Sequence, residues 1–262
     1  MTMDRIAKMV AFAAVQLVLT SCQTESSAEP ERSAAEALEH DLGGPGALMD
    51  FLSTSNHAQI AATLESYGMG YEMHHVGPDD KNITDCPQYF PSSDRNKWHA
   101  FDGEFYYIDG SGRPQRSYKY LPPISAAPRN ETCQGNVGRW GDAENPGNNY
   151  DGGHLIAASL GGWGKRANLV PQDSNFNQGN WNQIEQQAAK CGALSSQRML
   201  YQVTLSYPNG STLIPSTFSL YLEDRSQGDS ISRSFQNVDL GGSSGTSNRQ
   251  ALINFLIANG CN

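Results

Sequence analysis

The sequence has little positive charge. Its 18 lysines and arginines are outnumbered by 27 aspartates and glutamates, which gives the 262 residues a formal net charge of -9 at pH 7. The chain therefore lacks the excess of basic residues with which many proteins bind nucleic acid or anionic membranes nonspecifically. A local basic site is still compatible with this composition, because net charge says little about one cleft.

Long apolar runs are also missing. The longest near the start, Met9–Leu19, is too short to span a bilayer comfortably and has the length of the hydrophobic part of a signal peptide. It leads into "LTSC", which resembles the lipobox of bacterial lipoproteins. We interpret residues 1–21 as a lipoprotein-type signal peptide and Cys22 as the carrier of the lipid. Cleavage after Ala28 instead would give a freely secreted protein.

Cysteines are few, and none forms a C-x-x-C pair. Apart from Cys22, the four cysteines stand far apart, which disfavours a zinc cluster. An even number in an exported chain indicates two disulfides, for which the sequence alone allows three pairings. We expect Cys86–Cys133 and Cys191–Cys261, because each bond then ties neighbouring segments of one half of the chain.

The chain contains no internal repeat, and its length suits one domain. Residues 22–46 are small, polar and acidic and predict a flexible tether, so that the folded domain would cover residues 47–262. Within this domain the sequence predicts helices at 55–68, 174–190 and 247–258, hairpins at 98–121 and 201–224, and a Gly/Asn loop at 134–149. This order predicts an α+β domain with a largely antiparallel sheet.

One histidine stands out by its surroundings. His154 follows Asp151 and two glycines and precedes a short apolar run. Alone, such a histidine is more often a half-buried packing residue. Downstream, however, Asn168 opens an apolar strand fragment, and Asn177 and Glu185 lie eight residues apart in a predicted helix. At 100° per residue these two side chains lie on roughly one side of the helix, about 12 Å apart along its axis.

The segments "DGGHLIA", "NLVPQ" and "NFNQGNWNQIE" together resemble the signature of the DNA/RNA non-specific endonuclease family, of the ββα-metal (His-Me finger) class. That signature reads D-R-G-H, N-[IL]-x-P-Q and L-N-x-x-x-W-x-x-[LIM]-E, and a bacterial branch carries D-G-G-H-L-I-A. The match is tight from Asp151 to Glu185 and looser from Tyr106 to about Leu222. It implies a ββα-metal catalytic core and hydrolysis of phosphodiester bonds in DNA and RNA.

The resemblance also implies roles for single residues. His154 corresponds to the general base that activates the attacking water. Asn177 corresponds to the ligand of one divalent metal ion, Mg²⁺ or alternatively Mn²⁺, and Glu185 to the glutamate that hydrogen-bonds the waters of that ion. Asn168 corresponds to the asparagine that supports the histidine loop, and Asp151 to an acid that organises the site.

These residue types suit the chemistry independently of the family. Phosphodiester hydrolysis needs a deprotonated water, which a neutral imidazole near pH 7 can supply. It also needs a Lewis acid for the charge on the phosphate and on the departing 3′-oxygen. Mg²⁺ prefers oxygen ligands and keeps several waters, so one amide oxygen with a carboxylate behind it is a plausible set.

The sequence departs from the family signature at Gly152, which stands where D-R-G-H has arginine. A cation that could contact the phosphate is therefore missing at that position. Arg129 is the first candidate to replace it, followed by Arg139, Lys165 and Arg166.

Some other features have plainer explanations. Trp181 is expected to pack in the core beneath the metal helix, and the tyrosine-rich segment 106–120 to pack in a sheet. His74 and His75 could suggest a metal site, but with no third ligand nearby in the sequence they are more typical of surface or loop positions.

Two functions from other classes remain as alternatives. One is a catalytically inactive nucleic-acid-binding surface protein that kept the fold, against which the presence of both His154 and Asn177 argues. The other is an envelope scaffold with no role in nucleic-acid chemistry, which predicts neither cleavage nor binding.

Overall fold

A mostly antiparallel sheet runs through the middle of the protein, seen in a computed structural model that describes residues 32–74, 86–195 and 198–262. The expected signal peptide, residues 1–21, and Cys22 lie outside the described residues. The strands within the described ranges are β1 Gly70–His74, β2 Lys97–Phe101, β3 Glu104–Ile108, β4 Pro114–Leu121, β5 Tyr150–His154, β6 Leu169–Asp173, β7 Met199–Ser206, β8 Thr217–Asp224 and β9 Asp229–Gln236.

The α-helices flank these strands along the chain. They are α1 Ala34–Leu42, α2 Pro45–Thr54, α3 His57–Ser66, α4 Glu131–Glu144, α5 Ser174–Phe176, α6 Asn182–Ala189 and α7 Gly245–Ala258. A π-helical turn, Asn177–Trp181, joins α5 to α6, so that the three form one continuous segment, which we call the finger helix.

Seven strands form the main sheet in the order β1-β2-β3-β4-β7-β8-β9. Only the β1–β2 pair is parallel, and all other pairs are antiparallel. β5 and β6 form a separate antiparallel hairpin. The predicted α+β class with a largely antiparallel sheet is therefore confirmed, as are the two predicted hairpins, β3–β4 and β7–β8.

Both faces of the main sheet are covered. Phe105 and Tyr107 of β3 pack in one core together with apolar residues of α1, α2 and α3. Tyr106 and Ile108, which alternate with them, pack in a second core with residues of the finger helix and α7. Successive side chains of a strand point to opposite faces, so a sheet buried on both sides requires apolar residues at consecutive positions. This explains the tyrosine-rich segment as sheet packing.

The expected tether at residues 22–46 is wrong from Ser33 onward. Ser33 and Glu36 form a capping box at the start of α1, and Ala35 and Leu38 are fully buried. Glu39 accepts a hydrogen bond from Arg116 of β4 at 2.9 Å. Acidic residues of this stretch lie on the solvent-facing side of a packed helix. Residues 33–262 form one compact unit. The folded domain therefore begins at Ser33 and not at residue 47.

The expected Gly/Asn loop at 134–149 is also wrong, because most of it belongs to α4. Gly138 and Gly141 lie on the side of α4 that meets the β5–β6 hairpin. A Cβ atom on Gly138 would lie 2.6 Å from the carbonyl oxygen of Tyr150, which is closer than real contacts allow. The glycines thus serve the close approach of a helix to a hairpin and not the freedom of a loop.

The remaining sequence-based elements agree with the structure. The predicted helices at 55–68, 174–190 and 247–258 correspond to α3, the finger helix and α7. β1, α2 and β9 had no counterpart among the predictions. Both expected disulfides are present, Cys86–Cys133 and Cys191–Cys261. Within the described ranges, no helix has the length and apolar character needed to cross a membrane.

Candidate active site

The β5–β6 hairpin runs directly into the finger helix. In the hairpin, Asp151 pairs with Gln172 and His154 with Leu169. The carboxylate of Asp173, the last residue of β6, accepts a hydrogen bond from the backbone N–H of Phe176 at 3.0 Å and so caps the helix. Two antiparallel strands followed by a helix are the ββα arrangement that the sequence motifs predict.

The finger helix is anchored in the core by aromatic side chains. Phe176 and Trp181 are fully buried, and their ring centroids lie 5.5 Å apart. Both rings also pack against Phe218 and Phe235 of β8 and β9. The predicted core position of Trp181 is confirmed. Gly179 has non-helical dihedral angles inside the π-helical turn, so the helix between Asn177 and Glu185 is not regular.

Asp151 links the strand to the finger helix. Its Oδ2 accepts hydrogen bonds from the side-chain nitrogens of Asn177 and Gln178, each at 2.8 Å, and its Oδ1 accepts one from Ser174 Oγ at 3.0 Å. A carboxylate can only accept, so the Nδ2 group of Asn177 must face Asp151. The amide oxygen Oδ1 of Asn177 is thereby directed away from Asp151, where it can serve as a ligand.

Asn168 fastens the loop that follows His154. Its side chain is fully buried, accepts from the backbone N–H of Ile156 at 2.8 Å, and donates to the carbonyl oxygens of Ile156 at 2.8 Å and Trp163 at 2.9 Å. Its own carbonyl oxygen accepts from the N–H of Leu155 at 2.9 Å. These four contacts fix the backbone immediately after the histidine.

His154 lies at the end of β5 with 8% of its surface exposed. Gln134 of α4 places its side-chain nitrogen 3.4 Å from Nδ1 of the imidazole and 3.4 Å from the carbonyl oxygen of Gly152. Nε2 is buried and has no protein partner. Burial, with a further contribution from the positive charge of Arg129, lowers the pKa of His154 to about 4. The imidazole is therefore neutral at pH 7 and can accept a proton.

The charge of Arg129 acts on a second residue of the site, Glu185. Burial raises the pKa of Glu185 to about 8, and the Trp181 indole and the Arg129 guanidinium act in the opposite direction. Arg129 itself is exposed and directly precedes Asn130, the N-cap of α4. A histidine from β5, a glutamate from the finger helix and an exposed arginine therefore lie within one electrostatic neighbourhood.

The structure gives the reason for the glycine at position 152. A Cβ atom there would lie 2.3 Å from the carbonyl oxygen and 2.7 Å from the Cα atom of Gln134 in α4. Backbone atoms of a packed helix cannot move aside as a flexible side chain can. A side chain at Gly152, arginine included, therefore requires the helix or the hairpin to shift, and the same helix has Arg129 immediately before its cap.

The other three cationic residues that could contact the phosphate differ in their exposure and in their contacts. Arg139 is exposed and contacts Asn136 on its own helix. Lys165 lies over the ring of Trp163, 5.5 Å from its centroid. Arg166 is wrong as a candidate, because it is buried and donates to backbone carbonyls.

Sequence reasoning missed three side chains of this region. Ser174 and Gln178 both bond to Asp151, and Gln134 contacts His154. Gln134 could have been found only by recognising α4 as a helix. Two of its glycines, Gly138 and Gly141, are three residues apart and are the signal of a helix side that packs closely, although glycines lower helix propensity.

Among solved structures, the chain resembles NucA from Streptococcus agalactiae with magnesium ion bound, at 23% identity and a TM-score of 0.41 over 51% of this chain and 71% of that chain. It resembles NucA with no metal bound at 22% identity and a TM-score of 0.40, over 52% and 71% of the two chains.

A sequence model of the DNA/RNA non-specific endonuclease family matches residues 95–226, half of the chain. The matched range contains strands β2 to β8 and the whole finger helix, whereas α1, α2, α3, β1, β9 and α7 lie outside it. The chain therefore belongs to the DNA/RNA non-specific endonuclease family.

Proposed function

We propose that the protein is an exported, Mg²⁺-dependent endonuclease that hydrolyses phosphodiester bonds in DNA and RNA, with His154 as the general base. The observation that carries this proposal is the hydrogen bond between Asp151 and Asn177, which joins the strand that bears His154 to the finger helix that bears Glu185. An imidazole, a carboxyl group and an exposed guanidinium in one neighbourhood form a set that suits a phosphodiester.

The donor atoms at the site suit Mg²⁺. Asn177 Oδ1 is directed away from Asp151 by the hydrogen bond of its own amide nitrogen, and Glu185 contributes a carboxyl group. Amide and carboxylate oxygens are the ligands that Mg²⁺ prefers, usually with several waters retained. Asn177 would hold the ion directly and Glu185 through a water. The bound ion would act as a Lewis acid toward the phosphate and the departing 3′-oxygen.

His154 accepts the proton of the attacking water in this proposal. Its lowered pKa keeps the imidazole neutral at pH 7, although a base with a pKa near 4 is weak. Part of that lowering comes from Arg129. A phosphate group that pairs with the exposed Arg129 guanidinium would offset its charge and raise the pKa of His154. Substrate binding would thus strengthen the base at the moment it is needed.

Neighbouring residues keep this base and the ligand in place. Asn168 fixes the backbone after His154, and Asp151 fixes the amide of Asn177. Arg129 binds the phosphate and replaces the arginine of D-R-G-H as the cation that contacts it. With a net charge of -9 and no base-reading element among the residues that the structure describes, we expect modest affinity and little sequence preference.

Export is supported by the chemistry of the cysteines. Two disulfides, Cys86–Cys133 and Cys191–Cys261, are typical of proteins in oxidising compartments. We propose that residues 1–21 direct the chain out of the cytoplasm and that Cys22 carries a lipid. The intact mass of the membrane-extracted protein tests this, because a chain that starts at Glu29 without a lipid contradicts the anchor.

The activity is tested with supercoiled plasmid and structured RNA, each incubated with the purified protein and Mg²⁺, Mn²⁺ or EDTA. We expect cleavage with either metal, none in EDTA, and a loss of roughly 10²- to 10⁴-fold in His154→Ala. His57→Ala, an exposed histidine on α3, is the matched control and keeps full activity. Intact nucleic acid with every metal overturns the proposal, and a gel shift without cleavage identifies an inactive binding protein instead.

A further inference from the structure

β1 and β2, at the edge of the main sheet, bring three metal-ligating side chains together. Glu72 and His74 are two residues apart on β1 and therefore face the same side of the sheet. The parallel register places Glu72 opposite His99 of β2. One ligand atom from each of the three lies within 4.8 Å of the others. None of these residues belongs to the proposed endonuclease site.

The ring of His99 is oriented with a lone pair toward His74. Its Nε2 lies 3.2 Å from the carbonyl oxygen of Asp94. A carbonyl can only accept, so Nε2 carries the ring hydrogen and Nδ1 is left with its lone pair. Nδ1 in turn lies 3.0 Å from Nε2 of His74. A histidine that donates its other ring N–H to a backbone carbonyl is the usual arrangement of a metal-ligating histidine.

The ring of His74 is held by aromatic stacking. It lies 4.4 Å from the ring of Phe101 at an interplanar angle of 10°. Phe101 in turn stacks on Trp163 at 4.0 Å. The orientation of both imidazoles is thus largely set before any ligand arrives, which lowers the entropic cost of binding.

The spacing of the two nitrogens suits a shared ion. Two ligands bound at ~2.0–2.1 Å to one ion lie roughly 3.0–3.4 Å apart, according to the coordination geometry. The separation of 3.0 Å between His74 Nε2 and His99 Nδ1 falls at this distance. An ion between them replaces the hydrogen bond, and the ring hydrogen of His74 moves to Nδ1, which lies 3.9 Å from Glu72 Oε1.

Glu72 can supply the third ligand. Its side chain is 44% exposed, and Oε2 is held by the Lys97 ammonium at 3.0 Å, which leaves Oε1 on the histidine side. A small rotation of this exposed side chain closes the remaining distance to the histidines. The exposure also gives an ion a path from solvent and room for water ligands.

We propose that Glu72, His74 and His99 form a second metal site, which binds a transition-metal ion of the zinc class. Two imidazole nitrogens and one carboxylate suit Zn²⁺, Ni²⁺ or Cu²⁺, whereas Mg²⁺ prefers oxygen ligands. The bound ion would fasten the edge strand β1 to β2 and stabilise the folded protein by mass action. The site is independent of the endonuclease proposal, and either can fail without the other.

The competing explanation is purely structural: the Glu72–Lys97 ion pair and the His74–His99 hydrogen bond simply join two strands. Lys97→Met separates the two explanations. Because Lys97 competes for the Glu72 carboxylate, its removal is expected to tighten Zn²⁺ binding if the three residues form a metal site. A structural ion pair alone predicts a less stable protein with no change in Zn²⁺ binding.

The site is tested by calorimetric titration of the folded protein with Zn²⁺ in the presence of excess Mg²⁺, in an Asn177→Ala background that removes the catalytic ligand. We expect one Zn²⁺ per chain, and a loss of roughly 10- to 100-fold in affinity in His74→Ala and Glu72→Gln. His40→Ala, an exposed histidine on α1, is the control and binds as the background protein does. Co²⁺ in place of Zn²⁺ reports coordination by its visible absorption.

Folding is monitored by circular dichroism for each variant. Glu72→Gln alters an exposed side chain and should leave the fold intact even if His74→Ala does not. The proposal is overturned if the background protein shows no saturable Zn²⁺ binding, or if Glu72→Gln and His74→Ala bind Zn²⁺ as tightly as His40→Ala does.

Discussion

Asp151 on β5 accepts a hydrogen bond from the amide nitrogen of Asn177 at 2.8 Å, and this contact determines which atom of that amide is left for a metal ion. If the amide were reversed, two oxygen atoms would face each other and the nitrogen would point toward the cation. Asp151 therefore acts through Asn177 and is a positioning residue.

Replacing Asp151 by alanine tests this relationship. The change leaves Asn177 without the hydrogen bond that orients its amide, so we expect the apparent affinity for Mg²⁺ in the cleavage assay to fall roughly 10- to 100-fold. The reduced rate should recover in part at high Mg²⁺ concentration, because the ligand itself remains. Asp142→Ala is the control, because it removes a carboxylate that accepts from the backbone N–H of Tyr150 at the start of β5 and does not contact Asn177. Its Mg²⁺ requirement should equal that of the wild-type protein. An unchanged Mg²⁺ requirement in Asp151→Ala would show that the amide needs no such partner.

The pH profile of cleavage should report the environment of His154. The pKa of His154 is lowered to about 4, so the imidazole stays neutral until the pH falls through that value. At saturating Mg²⁺ we expect kcat/KM to decline near pH 4, well below the ordinary histidine value of about 6.5. In Arg129→Ala one cause of the lowering is absent, so the acid limb should move to higher pH while the overall rate falls. A limb that stays in place would argue that Arg129 does not act on the base.

Restoring the arginine of D-R-G-H should fail. A side chain at Gly152 would meet the backbone of Gln134, so Gly152→Ala is expected to lower the free energy of unfolding by about 1–3 kcal/mol, and Gly152→Arg to lower it further without gaining activity. Gly135→Ala on the same α4 is the matched control, because only the end of the Arg139 side chain lies near it. That change should stabilise the helix by up to about 1 kcal/mol. Urea denaturation measures both effects.

Truncation at the N-terminus separates the two possible starts of the domain. A chain of residues 33–262 should fold as the full chain does, whereas residues 47–262 lack α1 and should be markedly less stable. Without Glu39, the guanidinium of Arg116, 3% exposed, loses a carboxylate that is 19% exposed, and the loss of one partner from a mostly buried ion pair typically costs about 3–5 kcal/mol. If the two truncated chains are equally stable in urea, residues 33–46 do not contribute to the folded domain, as the tether prediction holds.

The candidate catalytic residues could be proposed from the sequence because they lie close together along the chain. Asp151, His154, Asn168, Asn177 and Glu185 lie within 35 residues, and their spacing resembles the signature of the endonuclease family. Two disulfides were expected from the even number of cysteines, and their pairing from the expectation that each bond ties neighbouring segments of the chain. For these features, sequence spacing and spatial arrangement are closely connected.

The errors arose where tertiary contacts override local preference. The glycines of α4 lower helix propensity, yet the helix forms because they let it approach β5 and β6. α1 carries few large apolar residues, yet Ala35 and Leu38 suffice because the sheet offers a buried surface. His99, which lies 25 residues from His74, could not be assigned to a metal cluster until the parallel β1–β2 pairing was known.

Glu185 gives the last prediction, which concerns stability without metal. Its pKa in the folded protein is raised to about 8, above the ordinary value of 4.5, so the folded state keeps a proton that the unfolded state releases. This contribution to stability is full below about pH 4.5 and is lost as the pH rises through 8. In EDTA, Glu185→Gln should therefore melt near the wild-type temperature at pH 5 and above it at pH 8. Glu65→Gln, at an exposed position of α3, should show no such divergence.

Addition of Mg²⁺ should reverse the order of the two proteins at pH 8. A divalent cation favours the ionised carboxylate, so the wild-type protein gains more stability from Mg²⁺ than Glu185→Gln does. The residue that destabilises the metal-free protein would then be the one that makes metal binding effective. If Glu185→Gln and the wild-type protein gain the same increase in melting temperature with Mg²⁺, Glu185 takes no part in holding the ion or its waters.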